Sequence, residues 1–299
     1  MGGGGMTHNF TPKEIIPGVM LCPDAAAVAR AAARFFVEWA WQSIARNGAF
    51  RVALAGGSTP RAMYRCLADA EYRLQVDWGK VHIYWGDERG VPPDHPDSNY
   101  GMARTELLLR VPIPSQNVHR MEAERSDLGR AAESYEELLR KGLERDSHGF
   151  PRFDLILLGM GTDGHTASLF PGTRGVRGTS RWVSTPKDPH SGLRRMTLTL
   201  PVINAARRVL FLVCGAEKAA TLRAVLRHEQ DPPLPAELVV VPEGERLFLV
   251  DELAASLLSE AAASLRDRPI PPRSGPSEGP HGSGSSSAPG GKKIPGESR

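Results

Sequence analysis

The sequence predicts an α/β fold: a single domain on a mostly parallel sheet with helices on both faces, of Rossmann-like layout. Two observations carry this expectation. Apolar runs recur without polar alternation and end in glycine, as in Phe50-Arg-Val-Ala-Leu-Ala-Gly-Gly, Asp154-Leu-Ile-Leu-Leu-Gly and Arg208-Val-Leu-Phe-Leu-Val-Cys-Gly; uninterrupted apolar strands are those covered on both faces. Residues that can start a helix follow each run, and strands alternating with helices over about 250 residues make a parallel sheet.

Behind Pro23-Asp24, with Asp24 as N-cap, Ala, Val, Phe and Trp recur at helical spacing as far as Asn47. The Phe50 strand leads through Gly56-Gly-Ser-Thr-Pro into a helix over 61–67. A third strand, Val81-His-Ile-Tyr-Trp, ends in Gly86-Asp-Glu-Arg within a Pro-rich loop, and Ser98-Asn-Tyr-Gly opens another helix. Helical period returns over 126–145. The central strand, Leu155 to Leu158, runs into Gly-Met-Gly-Thr-Asp-Gly-His, after which Thr166-Ala-Ser-Leu-Phe is expected to begin a helix. Met196-Thr-Leu-Thr-Leu and the Arg208 run are further strands, Gly215-Ala-Glu-Lys starts a helix, and Glu237-Leu-Val-Val-Val, Arg246-Leu-Phe-Leu-Val and a helix over 252–265 close the domain.

At 299 residues with 40% apolar and 24% charged side chains, the chain can bury one large core. The expected domain is 13–267, between a disordered start (1–12) and a Pro, Gly and Ser-rich tail (268–299) too poor in apolar residues to fold. A dispersed net charge of +3 argues against nucleic acid or a membrane surface as partner. Cys22, Cys66 and Cys214 are odd in number and widely spaced, which disfavours disulfides and suits a reducing cytoplasm. No apolar run approaches the ~20 residues that span a bilayer, and the first residues lack the features of a signal peptide.

His165 is the leading functional candidate, because imidazole titrates near neutral pH and a glycine-rich turn sets it two residues from Asp163. Asp163 can orient the ring or form an Asx-turn, and the two roles are compatible. Gly56, Gly57, Ser58 and Thr59 have the composition of an anion-binding loop before a helix N-terminus, with a plain strand-to-helix turn as the alternative. The loop is neither a triphosphate P-loop nor a dinucleotide fingerprint, so a monophosphate fits it better. Asp87, Glu88 and Arg89 at a strand end are candidates for substrate contact or for a surface ion cluster; Arg195 and Lys218 are further cations that gain meaning only if they converge on one mouth. The histidine and cysteine spacings match no metal motif, and neither Ser58 nor Ser168 lies in a G-x-S-x-G elbow.

Ala55-Gly-Gly-Ser-Thr-Pro, Trp85-Gly-Asp-Glu-Arg-Gly-Val-Pro-Pro-Asp-His-Pro-Asp-Ser-Asn-Tyr-Gly, Leu158-Gly-Met-Gly-Thr-Asp-Gly-His-Thr-Ala-Ser-Leu-Phe-Pro-Gly, Arg195-Met-Thr-Leu-Thr-Leu-Pro-Val-Ile-Asn and Cys214-Gly-Ala-Glu-Lys-Ala resemble the motifs of the 6-phosphogluconolactonases. The resemblance covers roughly residues 15–265. It implies hydrolysis of 6-phospho-D-glucono-1,5-lactone in the pentose phosphate pathway, with no cofactor and no metal, by a cytoplasmic monomer whose partner is the small sugar-phosphate lactone. It further implies His165 as general base held by Asp163, Arg89 on the oxyanion or sugar acid, Asp87 on substrate hydroxyls, and the phosphate on Gly56, Gly57, Ser58 and Thr59 with Arg195 and Lys218.

The related glucosamine-6-phosphate deaminases share the Gly-Gly loop and the Asp-Gly-His turn. They carry Asn-Glu-Pro where this chain has Thr166-Ala-Ser, and Met-Asp-Glu-Tyr where it has Trp85-Gly-Asp-Glu-Arg. A non-catalytic sugar-phosphate sensor is the third reading, without an appended DNA-binding segment to favour it. The loop Pro186-Lys-Asp-Pro-His-Ser-Gly-Leu departs from the family pattern.

Overall fold

The computed structural model describes residues 11–173 and 180–258. Its strands are β1 (Lys13–Ile16), β2 (Val19–Cys22), β3 (Phe50–Leu54), β4 (Val81–Trp85), β5 (Asp87–Arg89), β6 (Leu155–Leu158), β7 (Val183–Ser184), β8 (Arg195–Leu198), β9 (Arg208–Val213) and β10 (Glu245–Asp251). The α-helices are α1 (Ala25–Asn47), α2 (Ser58–Ala68), α3 (Ala70–Arg73), α4 (Asn99–Ala103), α5 (Leu128–Gly142), α6 (Leu200–Asn204) and α7 (Ala219–Arg227).

Seven strands form the central sheet in the order β1-β2-β10-β9-β6-β3-β4, parallel throughout except for β1. This is the mostly parallel, helix-flanked sheet that the apolar runs imply. All four residues of β6 are buried, and it lies between β3 and β9. The chain first moves outward from β3 to β4 and then returns to the other side of β3 to lay down β6. The crevice beyond the carboxyl ends of β3 and β6 is therefore a topological switch point, where ligands collect in such sheets.

Asp24 caps α1 by accepting the Ala27 N–H at 2.7 Å, and Gly48 ends the helix at φ 77°. The alanines of α1 (27, 29, 31, 32 and 33) are buried and let its axis approach the sheet, while Phe36 meets Phe50 of β3 edge-on at 5.1 Å. At the amino end of the sheet, Asp154 accepts from the Arg51 N–H at 2.9 Å and pairs with Arg46 at 3.0 Å, which ties β6 to β3 and α1.

Several expectations need correction. Asp87, Glu88 and Arg89 are not in a loop: they form β5 of a separate antiparallel sheet ordered β5-β8-β7, which also takes the expected Met196 strand. The segment Glu237-Leu-Val-Val-Val is not a strand. Turns cover 235–238, and the Asn204 side chain takes the Leu238 carbonyl at 3.2 Å and the Val240 N–H at 3.1 Å, groups a ladder would need. The expected closing helix is a run of turns over 252–258, and its remainder lies outside the described residues. So do the two expected disordered segments, apart from Thr11 and Pro12. The hairpin of β1 and β2, turning at Gly18 with φ 78°, has no counterpart among the elements that the apolar periodicity marks. Among the described residues, no helix is long and apolar enough to cross a membrane.

Candidate active site

Four strand ends open onto one cavity of about 330 Å³. Gly56, Gly57, Ser58 and Thr59 line it from the end of β3, Asp87 and Arg89 from beyond β4, Gly161 and His165 from beyond β6, and Cys214 and Lys218 from beyond β9. Among the described residues, no group of three or more His, Cys, Asp or Glu is placed to hold a metal ion.

The β3 end is shaped to leave donors free. Gly57 adopts φ 105° as the N-cap of α2, and no side chain caps the helix. The first-turn N–H groups of Ser58 and Thr59 therefore face the cavity with the positive end of the helix dipole, while Pro60 brings no N–H of its own. The buried Tyr64 hydroxyl donates to the Ala55 carbonyl at 2.7 Å and accepts the Ala55 N–H at 3.0 Å, fixing the approach to this turn. Lys218, half-buried at the N-cap of α7, has no carboxylate partner among the described residues.

Beyond β6 the chain doubles back tightly. The Gly161 N–H donates to the His165 carbonyl at 2.8 Å, Gly164 takes φ 78°, and a Cβ on Gly161 would overlap the His165 ring and the Asp163 carboxylate. His165 Nδ1 lies 2.6 Å from Asp163 Oδ1, and the His165 N–H donates to the same oxygen at 3.1 Å. A carboxylate only accepts, so Nδ1 carries the proton and Nε2 is left as a base. Partial burial works to raise the Asp163 carboxyl, but the His165 N–H, the His165 charge and the ring hydrogen bond hold it below the ordinary value.

The expected helix after His165 does not form. Ala167 takes φ 48°, Thr166 and Leu169 form an isolated bridge, and two side chains are recruited elsewhere: the Thr166 hydroxyl to the Gly159 carbonyl at 2.8 Å and the Ser168 hydroxyl to Asp87 Oδ2 at 2.7 Å. The cavity thus takes the N-terminus of α2 and the N-cap residue of α7, not a helix start after His165, and His165 lines the same crevice.

Arg89 and Asp87 are joined through Asn99, which lies within the Ser98-Asn-Tyr-Gly motif but has no site role assigned to it from sequence. Arg89 Nη1 donates to Asn99 Oδ1 at 2.6 Å and to the Asp97 carbonyl at 2.9 Å; Asn99 Nδ2 donates to the Asp87 carbonyl at 2.9 Å and to its carboxylate at 3.2 Å. Arg89 Nε is buried and has no hydrogen-bond partner among the described residues. Glu88, 3% exposed, accepts four hydrogen bonds from 89–100. Burial nevertheless raises its carboxyl above the ordinary value against the pull of the backbone N–H groups of Tyr100, Asn99 and Arg89. Its role is to hold the β5 turn, so of the three charged residues only Asp87 and Arg89 reach the cavity.

Arg195 sits opposite Arg89 in the β5–β8 pair, but its side chain is engaged away from the cavity. Its Nη2 pairs with Asp188 Oδ2 at 2.5 Å in the hairpin between β7 and β8, and it does not line the cavity. Asn99, Ser168 and Asp188 receive no site role from the sequence, because each acts through a hydrogen-bond partner that residue order does not reveal. The Ser98-Asn-Tyr step behind the acidic strand end was the available signal for Asn99.

Residues 23–249 match the family model described as glucosamine-6-phosphate isomerases/6-phosphogluconolactonase. A 6-phosphogluconolactonase of Synechocystis sp. is 42% identical over 217 residues, which make up 73% of this chain and 88% of that protein. One from Nostoc sp. is 38% identical over 81% of this chain and 98% of its own length. The solved 6-phosphogluconolactonase of Trypanosoma brucei aligns with a TM-score of 0.75 at 33% identity, over 82% of this chain and 100% of that one. The chain belongs to the family of glucosamine-6-phosphate isomerases and 6-phosphogluconolactonases.

Proposed function

We propose that this chain is a 6-phosphogluconolactonase, which hydrolyses 6-phospho-D-glucono-1,5-lactone to 6-phospho-D-gluconate in the pentose phosphate pathway, with His165 as the general base. The observation that carries the site assignment is the single cavity that holds an uncapped helix N-terminus with Lys218 and an Asp-supported imidazole with Arg89. The first pair suits a phosphate, and the second suits an ester carbonyl under attack by water.

The phosphate rests on the N–H groups of Ser58 and Thr59, with Lys218 supplying charge. His165 Nε2 takes a proton from the attacking water as its oxygen bonds to the lactone carbonyl carbon, and Asp163 stabilises the imidazolium that results; proton transfer of this kind is worth roughly 10²–10⁴-fold. The carbonyl oxygen becomes an oxyanion facing Arg89, whose preorganised N–H groups stabilise it more than the ground state; a donor in that position contributes about 10²–10³-fold. Collapse of the tetrahedral species breaks the bond to the ring oxygen, which takes the proton back from His165. Asp87, fixed by Ser168 and Asn99, is set to accept from sugar hydroxyls. Arg195 joins the phosphate only if its pairing with Asp188 is exchanged for the ligand.

The test is lactone decay, with the lactone generated in place and the spontaneous rate subtracted, for wild type and His165→Ala, beside ammonia release from glucosamine 6-phosphate. Fast decay lost in the variant, without ammonia, is the expected result. Wild-type decay at the spontaneous rate overturns the assignment.

A further inference from the structure

The hairpin 186–193 between β7 and β8 carries a histidine that the mechanism above leaves unused. Asp188 organises this hairpin. Its Oδ1 accepts the His190 N–H at 2.9 Å and the Ser191 N–H at 3.2 Å, its Oδ2 takes the Arg195 guanidinium at 2.5 Å, and its carbonyl accepts the Gly192 N–H at 2.8 Å. The Arg195 N–H closes the base on the Pro186 carbonyl at 2.9 Å. His190 is thereby held over the central turn, its side chain 76% exposed, with Nε2 3.6 Å from Asp163 Oδ2. That oxygen is the one His165 does not use. Asp163 stands between two imidazoles.

We infer that His190 is a positioning residue for the His165–Asp163 pair: as a cation it competes for the same carboxylate and biases His165 toward its neutral form. The consequence for rate rests on the lactonase reading, whereas the coupling between the rings does not. Among the described residues, the charged groups to weigh around His190 are Asp163 and His165 on the turn it faces, Lys187 and Asp188 on its own hairpin, and Arg194 and Arg195 where the hairpin enters β8. Asp188 is taken by Arg195, and Arg194 donates to the Ser126 carbonyl, so Asp163 is the carboxylate that His190 meets.

While His190 is neutral, Asp163 favours protonated His165 undivided. Once His190 is protonated, a second positive charge lies on the far side of the same carboxylate and disfavours protonation of His165. His165 then stays neutral, the form a general base requires, to lower pH than it otherwise would. At pH well above the histidine range the coupling vanishes, so replacing His190 by a neutral residue leaves the plateau rate alone and moves only the acid limb.

Imidazole titration by NMR in the ligand-free protein, for wild type, His190→Gln and His190→Lys, tests this beside kcat/KM against pH. The expected result is a His165 midpoint that moves up in His190→Gln and down below wild type in His190→Lys, with the acid limb moving in the same directions. The melting temperature is expected to stay unchanged for so exposed a side chain, and the shifts to shrink at ~1 M salt. A His165 midpoint that moves in neither variant overturns the coupling. Midpoints that move as expected while wild-type protein leaves lactone to decay spontaneously uphold the coupling and sink the lactonase reading instead.

Discussion

One oxygen of Asp163 holds both the ring and the backbone of His165: Oδ1 lies 2.6 Å from Nδ1 and 3.1 Å from the His165 nitrogen. In Asp163→Asn the backbone N–H keeps an oxygen at this position, because an amide NH₂ there would set donor against donor. The ring therefore keeps its tautomer and loses only the negative charge. We expect kcat to fall by about 10²-fold, within the usual range for general-base catalysis, with KM nearly unchanged. Because the wild-type carboxyl is held below its ordinary value, it stays ionised through the histidine range, and the acid limb reports imidazole. In the variant that limb moves to lower pH, since the imidazolium has lost its counter-charge. A pH series of kcat/KM decides it: an unmoved limb with kcat within about threefold of wild type removes Asp163 from this role.

Gly56 and Asn99 are coupled by space. A Cβ on Gly56 would land on the Asn99 side-chain oxygen that accepts from Arg89. Gly56→Ala must push that amide aside and take Arg89 and Asp87 with it, without touching His165. Misplacement on the order of 1 Å costs up to about 10²-fold, so kcat/KM is expected to drop by that order while the circular dichroism of the fold is retained. Gly57→Ala acts differently, straining the backbone at φ 105° by about 1–3 kcal/mol, and is expected to lower the melting temperature as well. Equal stability loss in both variants would refute the distinction.

What the sequence makes legible here is local. The strands β3, β4, β6 and β9 are apolar runs long enough to be read one by one, and Asp24 marks the start of α1. Each site loop is contiguous, so its composition alone singles out His165, Asp163, Arg89 and the Gly56 turn. What escaped depends on partners far along the chain. Thr166-Ala-Ser-Leu-Phe has helical composition, yet the Ser168 hydroxyl is committed to Asp87, 81 residues away, and that bond outweighs the modest propensity of a short helix. Glu237-Leu-Val-Val-Val has strand composition, but Asn204 takes its backbone groups.

Glu88 gives a stability prediction. Both of its oxygens accept, one from the Arg89 and Asn99 N–H groups and the other from the Ser98 hydroxyl and the Tyr100 N–H. In Glu88→Gln the amide nitrogen must replace one oxygen. On the second side the Ser98 hydroxyl can rotate, but the Tyr100 N–H cannot, and a buried donor is left unpaired. The cost is about 1–3 kcal/mol, which for a domain of this size lowers the melting temperature by roughly 3–10 °C. Calorimetry of Glu88→Gln against wild type measures it, and an unchanged melting temperature would contradict the four-donor arrangement.

His82 and His119 provide the pH dependence of the fold at the β4 edge of the sheet. Their rings lie 4° from parallel with centroids 5.6 Å apart, His82 Nδ1 is 3.3 Å from His119 Nε2, and Tyr84 stacks on His119 at 4.5 Å. Burial, reinforced by the charge of His82, lowers His119 to about 4; burial and then Arg51 lower His82. A depressed folded value means that the unfolded chain takes up the proton first. The stabilisation is complete above the unfolded value of about 6.5 and declines as the pH falls through the folded value of about 4. At ~1.4 kcal/mol per unit, discounted for partial exposure, the loss amounts to about 1–3 kcal/mol. His119→Phe keeps the stacking on Tyr84 and removes the proton, so its stability should fall less steeply between about pH 6.5 and 4 while lactone turnover at neutral pH is retained. Urea denaturation of both proteins across this window gives the two slopes, and parallel slopes would show that the histidine pair does not control the acid stability of the fold.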